Sequence, residues 1–190
     1  MHKVFRKSSL VQKLSEEQLI QLYLEKKDPA IFEELVRRHI SKLRNLIYRI
    51  VYDVETADDI VQDTFLKVYE KIDSFKGRST FSTWLCQIGI NMALNYKKKN
   101  TRYQMIDIAI LDEQSTAPSP EEFHLEQEEL KEINQHIQAL PDKLRVALLL
   151  STIENKDINE IARILGCQKA TVYWRIHQAR KILNEKIGNN

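Results

Sequence analysis

The stretch DINEIARILGCQKATVYWRIHQARKIL, Asp157 to Leu183, decides the reading of this chain. Asp157 and Glu160 stand three apart, the capping-box arrangement in which each side chain satisfies the other's backbone amide at a helix start. Gly166 follows the periodic residues and serves as a C-terminal stop. Gly166, Cys167 and Gln168 then form a short turn before a second helix that is basic and amphipathic. By three-to-four-residue spacing, Val172, Ile176, Ala179 and Leu183 share one face of that helix. Tyr173, Trp174, His177, Gln178 and Lys181 fall on the other face. Two helices so joined make a helix-turn-helix, with Ile161, Leu165, Val172 and Ile176 expected to pack them together. Arg175, Arg180 and Lys181 can then reach phosphates, while Tyr173, Trp174, His177 and Gln178 carry edges suited to bases. A helical hairpin with a solvated face is the alternative, and a solvated face would favour Lys and Glu over Tyr and Trp.

Upstream, LRVALLLSTIE reads as a buried helix, and FHLEQEELKEINQHIQAL as a helix that stops at Pro141. From Gln104 to about Glu122 the periodicity fails, and DEQSTAPSPEE has linker composition with Pro118 and Pro120. The N-terminal half is again helical. Ser15 caps SEEQLIQLYLEKK, which has acids in its first turn. Asp28 caps the next helix, with Pro29 at its first position, where a missing N–H costs nothing. Asp53 opens VETADDIVQDTFLKVYEKI, with Ile60, Val61, Thr64, Phe65 and Val68 along one side. The loop DSFKGRST holds Gly77. FSTWLCQIGINMALNYKKKN is a fourth helix, with Phe81, Trp84, Leu85, Ile88, Met92 and Leu94 mostly inward. Short connections make residues 10–100 one compact bundle. The expected fold is all-α, in two helical modules.

Composition agrees. The 190 residues are 43% hydrophobic and 29% charged, a globular balance, and four Gly and four Pro are too few for the turns of an all-β chain. The basic N-terminus MHKVFRKSSL lacks a signal peptide's apolar core, and no uncharged apolar run approaches the roughly 18 residues of a membrane span. Cys86 and Cys167 lie far apart without metal-ligand spacing, so buried free thiols in a reducing, cytoplasmic setting are expected. The net charge of +2 conceals a partition. Residues 1–103 carry 19 Lys and Arg against 13 Asp and Glu, and residues 131–190 carry ten against six. Between them, residues 104–130 hold eight acids and no Lys or Arg. Two basic modules joined by an acidic strap suit a polyanionic partner.

Two further clusters stand out in the first module. Asp53, Glu55, Asp58, Asp59 and Asp63 crowd one short run, and Lys97, Lys98, Lys99 and Arg102 another. The acidic run lacks the glycine and spaced oxygens of a calcium loop, and no nucleophile accompanies it. A solvated helix face competes with a protein-docking face. Neither a phosphate loop, a metal motif nor a nucleophile elbow is present, so no enzyme, cofactor or metal is expected.

DDIVQDTFLKVY, FKGRSTFSTWLCQIGINMALNY and LPDKLRVALLL…INEIARILGCQKATVYWRIHQARKIL together resemble conserved regions 2 and 4 of the extracytoplasmic-function sigma factors. The resemblance covers roughly residues 15–103 and 130–187, in the family's order. It implies region 2 at 10–103, an acidic linker at 104–129 and region 4 at 130–190. Asp59, Gln62, Asp63 and Phe65 match the motif that docks on the clamp helices of the polymerase largest subunit. Phe75, Lys76, Gly77, Arg78, Ser79 and Thr80 match the loop that captures a flipped −10 base. Trp84, Asn91, Asn95 and Tyr96 match the following helix, and Lys97, Lys98 and Lys99 would hold phosphates. An extruded base needs a snug pocket, stacking surfaces and cations for the unwound backbone, which these residue types supply. Trp84 also lies on the apolar stripe, so core packing competes for it. For −35 duplex the resemblance implies Lys169, Thr171, Tyr173, Trp174, Arg175, His177, Gln178, Arg180 and Lys181. Here the chain departs from the family's usual recognition helix, with Ala170 in place of Gly, and with Tyr173, Trp174 and Gln178. The implied partners are core RNA polymerase, through the clamp and the flap, promoter DNA and an anti-sigma factor, without membrane insertion. A free-standing helix-turn-helix regulator would leave the FKGRSTFSTW block unexplained, and a protein-only helical adaptor would leave the lysine run and exposed aromatics unexplained.

Overall fold

The computed structural model describes residues 11–107 and 126–187, with side chains at 11–100 and 132–187. The N-terminal MHKVFRKSSL, residues 108–125 of the acidic strap and the side chain of Arg102 lie outside the described residues. The described secondary structure is helical, without a strand: α1 (Glu16–Lys26), α2 (Pro29–Val51), α3 (Val54–Lys71), a 3-10 turn (Ile72–Ser74), α4 (Phe81–Asp107), α5 (Glu126–Gln138), α6 (Asp142–Thr152), α7 (Ile158–Leu165) and α8 (Lys169–Ile187). The chain forms two compact units, residues 1–92 and 93–190.

Local chemistry sets the helix boundaries. Ser15 closes a capping box with Gln18: its hydroxyl accepts from the Gln18 amide, and the Gln18 side chain accepts from the Ser15 amide at 2.8 Å. Asp28 accepts from the Ala30 amide at 3.0 Å and Asp53 from the Thr56 amide at 2.7 Å. Asp157 accepts from both Asn159 and Glu160, and these bonds hold its carboxyl below the usual range. Gly166 ends α7 at φ 57°, a left-handed conformation that costs a side-chain-free residue little. α4 runs past the expected end near Asn100 to Asp107, since no Gly or Pro interrupts the polar segment that follows the lysines.

In the first unit α2 and α3 pack along Leu43, Leu46, Ile47, Ala57, Val61 and Val68, all buried. Each fully covered Leu or Ile of this set contributes about 1.5–3 kcal/mol. Phe81, Leu85 and Ile90 complete the core from α4, whereas Trp84, Ile88, Met92 and Leu94 are only partly buried. The sequence spacing placed those four inside and passed over Ile90; α4 turns a broader polar flank outward than a single stripe predicts. A β-carbon at Gly89 would lie 3.0 Å from Leu43 Cδ1, so α4 approaches α2 closely there. Arg38 ties the preceding segment down, donating to the carbonyls of Leu14 and Gln12 at 2.8 Å each.

In the second unit Ile161, Ile164, Val172 and Ile176 form the seam of the helix-turn-helix. Ile164, not Leu165, is the fully covered residue, so the α7 stripe is shifted by one position from the expected one. Leu140, Leu144, Leu148 and Ala179 form a second cluster with Ile182 and Leu183 against it. Arg145 is buried among these helices and donates to the carbonyls of Gln138 and Leu140, at 2.6 and 3.1 Å, and to Asp142. Cys86 is buried as expected; Cys167 is partly exposed, because it sits in the turn itself. No described helix is long and apolar enough to cross a membrane.

Candidate nucleic-acid interface

The outer face of α8 carries the side chains that the spacing placed there. Tyr173 and Trp174 are 62% and 58% exposed, and His177, Arg180 and Lys181 lie alongside. Lys169 is exposed at the helix start, while Thr171 and Gln178 are partly buried. Arg175 leans back to the turn, its Nη1 lying 3.6 Å from Cys167 Sγ. Below the α8 start is an open hollow of about 660 Å³ lined in part by Asn159, Arg163, Gln168 and Lys169. The first three were not among the expected contacts. Their signal was available: Asn159 and Arg163 are four apart and face away from the Ile161–Ile164 seam.

In the first unit the loop between the 3-10 turn and α4 presents Lys76, Gly77, Arg78 and Thr80 to solvent, with Ser79 partly covered. Gly77 sits at φ 65°, which turns the chain over at the loop's tip. Phe75 is the loop's anchor. Its ring lies 5.1 Å from that of Trp84 and meets Phe81 edge-on at 5.9 Å. Trp84 thus has both expected roles open to it, half in the packing and half toward the loop. Along α4, Trp84, Ile88, Asn91, Asn95 and Lys98 or Lys99 recur at three-to-four-residue spacing, a strip of about 20 Å at the helical rise. Asn91, Asn95, Lys98 and Lys99 are exposed; Tyr96 is 39% exposed and Lys97 partly buried. The loop and α4 as far as Asn91 offer a polar and cationic surface with aromatic support at its head; Asn95 to Lys99, further along the helix, belong to the second unit.

The third surface lies between α2 and α3. An apolar groove of about 670 Å³ is lined by Phe32, Val36 and Ile40 from α2, and by Gln62, Phe65, Leu66 and Tyr69 from α3 among others. Leu66 and Tyr69 are 59% and 53% exposed. Of the expected docking residues, Gln62 and Phe65 line the groove; Asp59 and Asp63 are exposed outside its lining. Phe65 is itself mostly covered, so it supports the groove more than it presents a surface. Leu66 and Tyr69 were missed although their signal matches that of Tyr173 and Trp174: apolar side chains standing off the core stripe.

Two basic helical modules, one ending in a helix-turn-helix and the other in a polar loop and helix strip, define a class of nucleic-acid-binding protein. The family model for sigma-70 region 2 matches residues 35–103, and that for sigma-70 region 4 matches residues 130–183. The RNA polymerase sigma-H factor of Pseudomonas aeruginosa is 33% identical over 92% of this chain and 96% of its own length. The ECF RNA polymerase sigma-E factor of Escherichia coli K12 is 32% identical over 86% of this chain and 90% of its own. Among solved structures, the sigma factor RpoE of Bartonella quintana, in complex with the anti-sigma factor NepR, aligns with a TM-score of 0.68 at 24% identity, covering 83% of this chain and 96% of that one. CnrH, in complex with the cytosolic domain of CnrY, aligns at 0.67 and 23% identity, over 90% and 96%. The chain belongs to the extracytoplasmic-function sigma factors of the sigma-70 family, which direct promoter-specific transcription initiation by RNA polymerase. A stand-alone regulator is not favoured, since the likenesses extend over both modules.

Proposed function

We propose that the three surfaces divide the work of initiation. The α2–α3 groove, with Gln62, Phe65, Leu66 and Tyr69, and the neighbouring Asp59 and Asp63, seats the polymerase largest subunit. The loop from Phe75 to Thr80 receives an extruded −10 base, and the α4 strip of Asn91, Asn95, Tyr96 and Lys97–Lys99 follows the unwound strand. The outer face of α8 reads the −35 duplex, with Tyr173, Trp174, His177 and Gln178 on bases and Lys169, Thr171, Arg175, Arg180 and Lys181 on or near phosphates. The division follows as region 2 at 10–103, an acidic linker at 104–129 and region 4 at 130–190. The observation that carries the reading is the exposure of large apolar and aromatic side chains at Leu66, Tyr69, Tyr173 and Trp174. Side chains of this kind stand free on a soluble surface where a partner covers them.

The chain performs no chemistry of its own; polymerase supplies it. It works in the cytoplasm, where polymerase and promoter are. An anti-sigma factor restrains it, a reading supported by the complexes in which the similar structures were solved. Run-off transcription with purified core polymerase over a genomic promoter library is the test. A restricted set of start sites is expected, together with co-elution of chain and core. Duplex binding by the chain alone with no association with core would overturn the reading.

A further inference from the structure

Glu16, in the first turn of α1, lies against His39 of α2, which in turn packs on the start of α4. Its carboxylate comes within 2.6 Å of His39 Nε2 on α2, and the backbone amides of Phe81 and Ser82 help to lower its pKa. Those are the first two N–H groups of α4, which no turn of the helix can satisfy. Thr80 Oγ1 takes the next, accepting from the Thr83 amide at 3.2 Å. The nearby His39, and to a smaller extent the two amides, hold the Glu16 carboxyl below the usual range against the opposing pull of burial. His39 is 12% exposed at its side chain, and its ring meets that of Phe81 at 5.3 Å and 60°. Phe81 in turn carries the ring of Phe75, so both ends of the Phe75–Thr80 loop rest on one buried junction.

We propose that Glu16 and His39 are positioning residues for −10 base capture: they fix Phe81 and the first turn of α4, and so hold the loop in register for an extruded base. The inference rests on the loop reading given above. Neither residue lies in the exposed loop or on the α4 strip, so both act through Phe81, against which the His39 ring packs. A pocket for one base demands placement to about 0.5 Å, which a Phe81 without its His39 support would not provide.

The test uses holoenzyme assembled from the full chain and purified core. The probe is a short single strand selected from a random pool on wild-type holoenzyme, with each base in turn changed to the other three. Wild type is expected to favour one base at the captured position by about tenfold or more. Glu16→Gln and His39→Ala should reduce that ratio to about twofold, with core affinity and the melting temperature of the chain little changed. Hydrogen exchange should quicken at the 81–84 amides alone, a local signature that a general loss of packing would not give. Glu16→Asp, which keeps the charge, should recover part of the ratio. If wild type shows no base preference anywhere, the loop reading falls and the inference with it. If the wild-type preference is present but persists undiminished in Glu16→Gln, the positioning role is overturned and the loop reading stands. Exchange that quickens equally through α2 and α3 would reduce both residues to ordinary packing and also overturn it.

Discussion

Arg44 on α2 and Asp58 on α3 form a two-point ion pair at the edge of the apolar groove, with Arg44 Nη2 2.9 Å from Asp58 Oδ2. The guanidinium holds the Asp58 carboxyl below the usual range, and Asp58 in turn raises Arg44. Both side chains are about half exposed, so the pair adds little stability. Its effect is geometric, bracing one end of a groove whose other end is apolar. Leu66→Ser should therefore weaken association with core polymerase by about tenfold or more while leaving the melting curve in place. Asp59→Lys with Asp63→Lys should weaken it further at low salt than at high salt. Co-elution and fluorescence competition with purified core check both; unchanged binding in Leu66→Ser would remove the groove from the interface.

Across α8 and α4 the expectation separates readers from holders. Tyr173→Ala and His177→Ala should alter the order of preference among −35 duplexes. Lys98→Ala should lower binding of holoenzyme to every promoter alike and reduce the salt slope by about one. Equal losses across all promoters for the aromatic variants would make them packing residues.

Arg145 is the test of the second unit's framework. Its buried guanidinium gathers the carbonyls at the end of α5 onto α6. Arg145→Met should cost about 2–4 kcal/mol, since buried acceptors lose a charged donor, and should lower the calorimetric transition of residues 93–190. Arg145→Lys should fall between, keeping the charge without the planar fork.

Acid should act on the first unit through Glu34. That carboxylate is nearly covered and accepts from Arg37 at 2.8 Å and Arg38 at 2.7 Å. Arg37, then Arg38, lower its pKa against burial. A lowered folded pKa contributes stability that is present above the unfolded value of about 4.3 and is lost as pH falls through the folded one. Glu34→Gln should therefore destabilise the chain near neutrality, with the difference from wild type vanishing in the acid limb. Chemical denaturation at a series of pH values measures it.

Boundaries written in single residues were readable before any coordinates: the caps at Ser15, Asp28, Asp53 and Asp157, and the stop at Gly166, each depend on neighbours within three or four positions. The face of α8 was readable for the same reason. What needed the fold was contact between distant segments. Glu16 reads locally as an acid in a first turn and in the structure comes within 2.6 Å of His39 on a different helix, α2. Leu66 and Tyr69 looked like ordinary residues of α3 until Phe32, Val36 and Ile40 closed a groove with them. Periodicity also errs by one position where a helix packs on two neighbours, as at Ile164 and Leu165.

The chain's two tryptophans fall one to each unit, Trp84 half packed beside Phe75 and Trp174 open to solvent on α8. Their emission spectra should be separable, blue-shifted for the first and red for the second. A single-tryptophan chain of either kind is then an optical gauge of its own module: on the proposed division of work, Trp84→Phe should leave a signal that answers to duplex, and Trp174→Phe one that answers to the captured strand. The order in which the two promoter elements are engaged becomes measurable by comparing the stopped-flow records of the two single-tryptophan chains, without attached dye.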